Sequence, residues 1–308
     1  METQIQTGTQ VRVSALASGS SGNAFLVEVA GTRLLFDAGL NAATLDYYMR
    51  QRGVLPSQLA AIFISHEHID HLRGVGILAR RYRLPVVASE GTFLAGAYQF
   101  GHLPEKVVQL PGREVHISGV DGTGDVAVRT FVVSHDAAEP TGFWIEAGGR
   151  NIVICTDLGC ETASIREPLE AADLLVLEAN HDVDRLWRGR YPPALKRRVA
   201  GRYGHLANAD AARLVSELAR DGRPRTVWLA HLSAANNTPA LAFDAVTEPL
   251  KCEGCTHLEI AVLARDRPSH TWRSGIGADK GEARAEGAEA IRRQIAPEER
   301  LYNQASFA

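Results

Sequence analysis

Hydrophobic segments of strand length recur along most of the chain, separated by turns rich in glycine, proline and asparagine. Many of these segments carry β-branched residues, and such runs bounded by turn residues are typical of β-strands. The predicted strands span residues 11–17, 24–30, 32–39, 59–66, 84–89, 126–135, 141–148, 151–157, 172–180, 225–231 and 257–263.

Two segments between the predicted strands have apolar residues at helical spacing. Residues 72–83 form one of them, and residues 208–221 form the other, with Leu214, Val215 and Leu218 on one face. Apolar residues three and four positions apart form the face by which a helix packs on a core. Strands mixed with such helices predict an α/β fold in which helices pack outside two sheets.

Composition excludes several classes of protein. With 45% hydrophobic and 22% charged residues the chain is globular, and a net charge of -3 argues against a generally basic nucleic-acid coat. The chain has no apolar run of transmembrane length, its start does not resemble a signal peptide, and its 4 Cys are too few for a disulfide framework. These features predict a cytoplasmic protein with no membrane partner.

The last segment of the chain differs from the rest. Residues 274–308 are rich in Ala, Gly, Glu and Arg and contain few large apolar residues. A segment with so little to bury predicts a charged, flexible tail. Residues 1–273 are then expected to form one large domain.

The histidine count directs attention to metal binding, since 11 His exceed the 4 Cys and 2 Met together. Residues 66–71 read His-Glu-His-Ile-Asp-His and directly follow the apolar segment LAAIFIS. Four metal-competent side chains in so short a run, at the end of a strand, predict a metal site. Further polar residues end other apolar strands and are candidate ligands: His135, Asp157 and His231.

These motifs resemble the metallo-β-lactamase superfamily, whose HxHxDH motif is followed by His, Asp and His in that order. The resemblance covers about residues 11–265 and implies a four-layer αβ/βα sandwich, so that residues 1–273 would be a hydrolase domain. It also implies two divalent metal ions, Zn²⁺ or Mn²⁺ with Fe²⁺ as a further option. One ion would be held by His66, His68 and His135, the other by Asp70, His71 and His231, with Asp157 bridging them.

Longer blocks resemble one branch of this superfamily, the YycJ/WalJ-type exonucleases. The blocks are SALASGSSGNAFLVE, SHEHIDH, LEANHDVDRL, KRRVAGRYGHLANADAA and LAHLSAANNTP. This resemblance implies a phosphodiester hydrolase that degrades DNA, rather than RNA, from the 5′ end with a hydroxide bridging two metals. A thioester or lactone hydrolase of glyoxalase II type and a small-molecule phosphodiesterase remain the alternatives.

A local excess of positive charge supports an anionic substrate. Residues 185–204 contain seven Lys or Arg and no acid, and three aromatic residues interleaved with them could stack on bases or sugars. The alternative is a solvated basic surface. The predicted phosphate contacts are Lys196, Arg197, Arg198 and Arg202.

Other polar residues near these blocks are assigned roles in catalysis or binding. Asp70 is predicted to orient the nucleophile, and His205 to protonate the leaving oxygen. His181 and Asn236 are predicted substrate contacts, with loop or turn formation as the alternative for each.

Overall fold

The structure, a computed structural model, describes residues 9–119 and 124–274. The strands are β1 Val11–Ala17, β2 Ala24–Val29, β3 Thr32–Phe36, β4 Ala61–Phe63, β5 Pro85–Ala88, β6 Glu105–Val108, β7 Glu114–Ile117, β8 Val126–Val132, β9 Thr141–Ala147, β10 Arg150–Cys155, β11 Leu174–Glu178, β12 Arg225–Ala230, β13 Leu258–Val262 and β14 Thr271–Arg273. The helices are α1 Ala42–Gln51, α2 Ile69–Leu72, α3 Val75–Tyr82, α4 Glu90–Ala95, α5 Ala97–Phe100, α6 Ala163–Ala171, α7 Val183–Arg188, α8 Pro193–Val199, α9 Asn208–Ala219 and α10 Pro239–Cys252. Apart from Ser274, the tail predicted for residues 274–308 lies outside the described residues.

The strands form two seven-stranded sheets with the same internal arrangement. The first sheet has the order β14-β1-β2-β3-β4-β5-β6, and the second has the order β13-β12-β11-β10-β9-β8-β7. In the first sheet β14, β1, β2 and β3 are antiparallel and the pairs from β3 to β6 are parallel. In the second sheet β7 to β10 are antiparallel and the pairs from β10 to β13 are parallel.

The main core lies between the two sheets, and helices cover their outer faces. Phe36 and Phe63 of the first sheet meet Phe143 of the second, and the rings of Phe36 and Phe143 are 5.0 Å apart. Leu45 of α1 packs with the outer side of the first sheet, and Leu214 of α9 with that of the second. Burial of both faces of each sheet explains why the strands are apolar throughout rather than alternating. The predicted αβ/βα sandwich is therefore confirmed.

The existence of each predicted strand is confirmed, although the limits of several strands differ from the prediction. All eleven predicted strands are present and end within a few residues of the predicted limits, while β6, β7 and β14 were not predicted. The helix predicted over 72–83 is divided between α2 and α3. Gly74 lies at the break, where a Cβ atom would approach the carbonyl oxygen of Leu40 to 2.4 Å.

The topology brings several strand ends together. Strands β3, β4, β10, β11 and β12 belong to the parallel parts of the two sheets, so the carboxyl ends in each sheet lie along one edge. Ligand sites of α/β folds form at such edges. Within residues 9–119 and 124–274, no helix is long and apolar enough to span a membrane.

Candidate metal centre

The predicted ligands lie at the carboxyl ends of strands in both sheets. Residues 66–71 follow β4, Asp157 follows β10 and His231 follows β12. His135 follows the antiparallel strand β8. The structure places all seven predicted ligands in one cluster, and their role as ligands stays a prediction.

The first set of donors is a trio of histidines. One ring nitrogen from each of His66, His68 and His135 lies within 4.8 Å of the other two. His135 Nε2 is 3.2 Å from His68 Nδ1. His135 donates from Nδ1 to the carbonyl oxygen of Gly204 at 3.0 Å, so that its Nε2 lone pair faces His68. This is the geometry of imidazoles arranged around a common cation.

The second set of donors adjoins the first through Asp157. Donor atoms of Asp70, His71 and His231 form one group within 4.8 Å, and those of His66, His71 and Asp157 form another. Asp157 Oδ2 is 3.1 Å from His71 Nε2, and Asp157 Oδ1 is 3.8 Å from His135 Nε2. Asp157 therefore stands between the two sets, where a bridging carboxylate would stand.

Two atoms of the cluster have unmet bonding capacity. His66 Nε2 and Asp157 Oδ2 are buried and make no hydrogen bond to the described residues, although Asp157 Oδ2 lies 3.1 Å from His71 Nε2. Leaving a buried polar atom without a partner is costly, so such atoms need an explanation. The cluster offers five imidazoles and two carboxylates, a donor set that suits Zn²⁺, Mn²⁺ or Fe²⁺. These residues fit divalent metal ions.

Backbone conformation turns several of these side chains toward the cluster. Asp157 and His231 have left-handed φ values of 56° and 54°, and so does Asp37, at 58°. Left-handed backbone costs about 1–3 kcal/mol at a residue other than glycine, and it is common at functional sites. Three of the five such residues among those described lie in or beside the cluster, and the other two, Ala30 and Arg83, lie in turns.

Glu178 is a functional residue that the sequence reasoning missed. It ends β11 and is fully buried. Its Oε1 accepts hydrogen bonds from Nδ1 of His231 at 2.7 Å and Nδ1 of His205 at 2.8 Å, while its Oε2 accepts from the backbone NH of Leu158 and Leu206. Glu178 is thus saturated and fixes the orientation of both rings. A polar residue at the end of the apolar run LLVLE was the signal available in the sequence.

Asp37 has a corresponding role on the other side of the cluster. It follows β3, and its Oδ2 accepts a hydrogen bond from His71 Nδ1 at 2.8 Å. Its Oδ1 accepts from the backbone NH of Ser65 at 2.9 Å. Gly39 lets the chain pass close to the ligand motif, since a Cβ atom there would lie 1.6 Å from the Asp70 carbonyl oxygen.

The buried charges of the cluster shift the pKa values of its members in different directions. Burial alone would lower the pKa of His231, but Asp157, Asp70 and Glu178 raise this pKa to about 10. Burial alone would raise the pKa of Glu178, but the charge of His205 and hydrogen bonds from His205 and His231 lower this pKa to about 2. His66 is different, since burial and the positive charge of His71 hold its pKa well below the usual value. Metal binding would displace protons from the histidines with raised pKa values.

The predicted phosphate contacts lie on a projecting segment beside the cluster. We call residues 183–204, which contain α7 and α8, the basic arm. Helix α8 has no buried residue. Lys196 donates from Nζ to the Trp187 carbonyl oxygen, and Arg198 pairs with Asp136, whereas Arg197 and Arg202 are exposed.

His181 and Asn236 are both buried rather than presented to solvent. The backbone of His181 pairs with Ala207, and its Nδ1 makes no hydrogen bond. Asn236 donates to Ser233 Oγ from its backbone NH at 3.2 Å, as expected for a turn. The predicted substrate contact of each residue stays a prediction.

A cluster of histidines and aspartates that fits divalent metal ions lies at the strand ends of two packed sheets. A family model described as "Beta-lactamase superfamily domain" matches residues 32–232, and the chain belongs to the metallo-β-lactamase superfamily. It is similar to the exodeoxyribonuclease YycJ of Bacillus anthracis, with 37% identity over 241 residues, covering 78% of this chain and 89% of that protein.

Two further comparisons agree with this assignment. The chain is 36% identical over 234 residues to the exodeoxyribonuclease WalJ of Streptococcus pneumoniae serotype 2 (strain D39 / NCTC 7466), covering 75% of this chain and 85% of that protein. The crystal structure of the metallo-β-lactamase fold protein YhfI from Bacillus subtilis superposes with a TM-score of 0.63 at 18% identity, covering 86% of this chain and 100% of that one. The predicted resemblance to this superfamily and to the YycJ/WalJ branch is confirmed.

Proposed function

We propose that this chain is a DNA exonuclease that hydrolyses phosphodiester bonds with two divalent metal ions. The observation that carries the proposal is the hydrogen bond between the donor cluster and the basic arm. His135, a predicted ligand, donates this bond to the Gly204 carbonyl oxygen at the end of the arm. The exodeoxyribonuclease names of the two relatives support DNA as the substrate. Residues 1–273 are the proposed hydrolase domain.

Seven residues would hold the metals: His66, His68, Asp70, His71, His135, Asp157 and His231. Bound there, the cations would supply an activated water molecule at neutral pH and would neutralise phosphate oxygens. Asp70, which is partly exposed, has Oδ2 3.5 Å from His231 Nε2. Asp70 would also orient the nucleophilic water molecule.

His205 is the proposed proton donor to the leaving oxygen. Its Nδ1 is 2.8 Å from Glu178 Oε1, and its ring is 5.0 Å from that of His135. Burial lowers the pKa of His205, but the charge of Glu178 and the hydrogen bond to it outweigh burial and raise that pKa. A raised pKa favours the protonated imidazole, the form that a general acid requires. Its Nε2 is the nitrogen left to give the proton.

The basic arm is the proposed binding surface for the DNA backbone. Its exposed guanidinium groups, including those of Arg197 and Arg202, are donors suited to phosphate oxygens. The side chains of Trp187 and Tyr203, 49% and 60% exposed, offer stacking surfaces for bases. A phosphate chain bound along the arm would lead to the donor cluster through Arg202 and Gly204.

A substrate panel tests this proposal. Purified protein with Mn²⁺ or Zn²⁺ is given DNA labelled at either end, RNA of the same sequence, bis-p-nitrophenyl phosphate and a glutathione thioester. We expect the protein to release mononucleotides from DNA. If degradation starts at the 5′ end, as the resemblance implies, a 5′ label is released before a 3′ label. Turnover of the thioester with no cleavage of DNA would contradict the proposal.

A further inference from the structure

The position of helix α8 is not determined by the hydrophobic core. None of its residues is buried, and it carries the positive charges of Lys196, Arg197 and Arg198. A helix with no fully buried side chain gains little free energy from apolar burial. Polar contacts must therefore hold this part of the basic arm against the body of the protein.

Few such contacts exist in the part of the chain that the structure describes. There, the ion pair of Arg198 Nε with Asp136 Oδ2, 2.5 Å apart, is the only ion pair between the basic arm and the rest of the protein. The other ion pair of the arm, Arg188 with Asp184, is internal to α7. Three main-chain carbonyl groups of the arm accept hydrogen bonds from described residues outside it: Val199 from the backbone NH of His205, Arg202 from Ser134 Oγ and Gly204 from His135 Nδ1.

The anchor for this ion pair is itself fixed beside the donor cluster. Asp136 directly follows His135, and its Oδ1 is 3.5 Å from His135 Nε2. Two residues further on, Ala138 donates from its backbone NH to Glu67 Oε1 at 2.8 Å. Glu67 belongs to the ligand motif, so the loop that carries Asp136 is tied to both predicted ligand segments.

The pair also leaves Arg198 able to bind an anion. Asp136 contacts only Nε, and neither terminal nitrogen of the guanidinium makes a hydrogen bond to residues 9–119 or 124–274. The Arg198 side chain is 61% exposed and that of Asp136 is 30% exposed. A guanidinium has five N–H donors in a planar fork, so the terminal edge can bind a phosphate while Nε stays on Asp136.

We propose that Asp136 is a positioning residue. It holds Arg198 and the basic arm at a fixed place beside the donor cluster. Arg198 can then bind a phosphate of the substrate backbone and bring that backbone to the cluster. This inference rests on the proposed nuclease function. According to this inference Asp136, although negatively charged, strengthens the binding of negatively charged DNA. Simple electrostatics predicts the opposite effect, because removing a negative charge beside a basic surface should strengthen DNA binding.

The test compares Asp136→Asn with the matched control Asp184→Asn. Both variants remove one negative charge from a pair with an arginine of the arm, but Asp184 pairs with Arg188 inside α7 and ties nothing to the body. Binding is measured by fluorescence anisotropy with a phosphorothioate-linked oligonucleotide, so that cleavage does not follow. KM and kcat are then measured with the normal DNA, and metal content is measured for each variant.

We expect Asp136→Asn to weaken oligonucleotide binding at least about threefold and to raise KM with little change in kcat or metal content. Asp184→Asn should bind as tightly as the wild type or more tightly. Binding by Asp136→Asn as tight as that of Asp184→Asn would overturn the inference alone, while failure of the wild type to bind DNA would overturn the proposed function as well.

Discussion

His205 and His231 donate hydrogen bonds from Nδ1 to the same carboxylate oxygen, Oε1 of Glu178, and their rings are 5.2 Å apart. One buried side chain therefore fixes the tautomer of a predicted ligand and of the proposed proton donor. The two histidines direct the remaining nitrogen, Nε2, away from Glu178. His231 is a predicted metal ligand, whereas His205 is the proposed proton donor, so their substitutions should have different effects.

Replacing Glu178 should impair the metal centre without a direct change to any predicted ligand. In Glu178→Gln one acceptor for two imidazole N–H groups becomes a weaker, uncharged one. We expect metal affinity or activity to fall about 10- to 100-fold, the usual effect of losing a residue that orients a ligand. Metal titration of the variant measures this decrease.

The melting temperature of the variant serves as its folding control, together with Glu259→Gln on the edge strand β13. Glu259 is exposed and pairs with Thr226 near the start of β12, at the opposite end of that strand from His231, and its variant should bind metal like the wild type. Unchanged metal affinity and activity in Glu178→Gln would contradict the claim that Glu178 orients the histidines of the site.

Replacing His205 should slow cleavage most for substrates whose leaving group must be protonated. In His205→Asn the proton donor is removed, so cleavage of DNA, with its alkoxide leaving group, should slow by about 10²- to 10⁴-fold. Cleavage of bis-p-nitrophenyl phosphate should fall much less, because p-nitrophenolate leaves without protonation. In His231→Asn, by contrast, metal content and both activities should fall together. Equal decreases on both substrates in His205→Asn, with loss of metal, would show that His205 is a ligand instead.

The metal-free protein should lose stability as pH rises above neutral. The pKa of His231 is about 10 in the folded protein against 6.5 for the free group. This group therefore contributes stability that is complete below pH 6.5 and is lost as pH rises toward 10. We expect the melting temperature of the chelated protein to fall over this interval, and to fall less in His231→Asn. The same slope in both proteins would contradict the assignment of the effect to His231.

The exposed arginines of the basic arm should control the salt dependence of DNA binding. Arg197→Ala or Arg202→Ala should each remove one phosphate interaction and so reduce the slope of log affinity against log salt by about 0.7 to 0.9. Arg220, an exposed residue that follows α9, provides the matched control. A slope that changes equally in Arg220→Ala would show that net charge, rather than the arm, determines binding.

The sequence predicted the fold and the cluster through one recurring signal, a polar residue at the end of an apolar strand. That signal located His135, Asp157 and His231, and it was also present at Glu178 and Asp37, which were not singled out because carboxylates that accept from histidines carry no motif of their own. The missed helices include α1, α6 and α10, of which the last two contain a proline. The Arg198–Asp136 pair joins residues 62 positions apart, and no local pattern predicts such a pairing.

The metal dependence of DNA cleavage tests the central claim most directly. Protein stripped with a chelator is titrated with Mn²⁺ or Zn²⁺ while bound metal and release of nucleotides from end-labelled DNA are measured together. We expect no cleavage by the stripped protein, and full cleavage at two bound ions per chain. Cleavage that survives complete removal of metal, or full metal loading with no cleavage of DNA, would contradict the account.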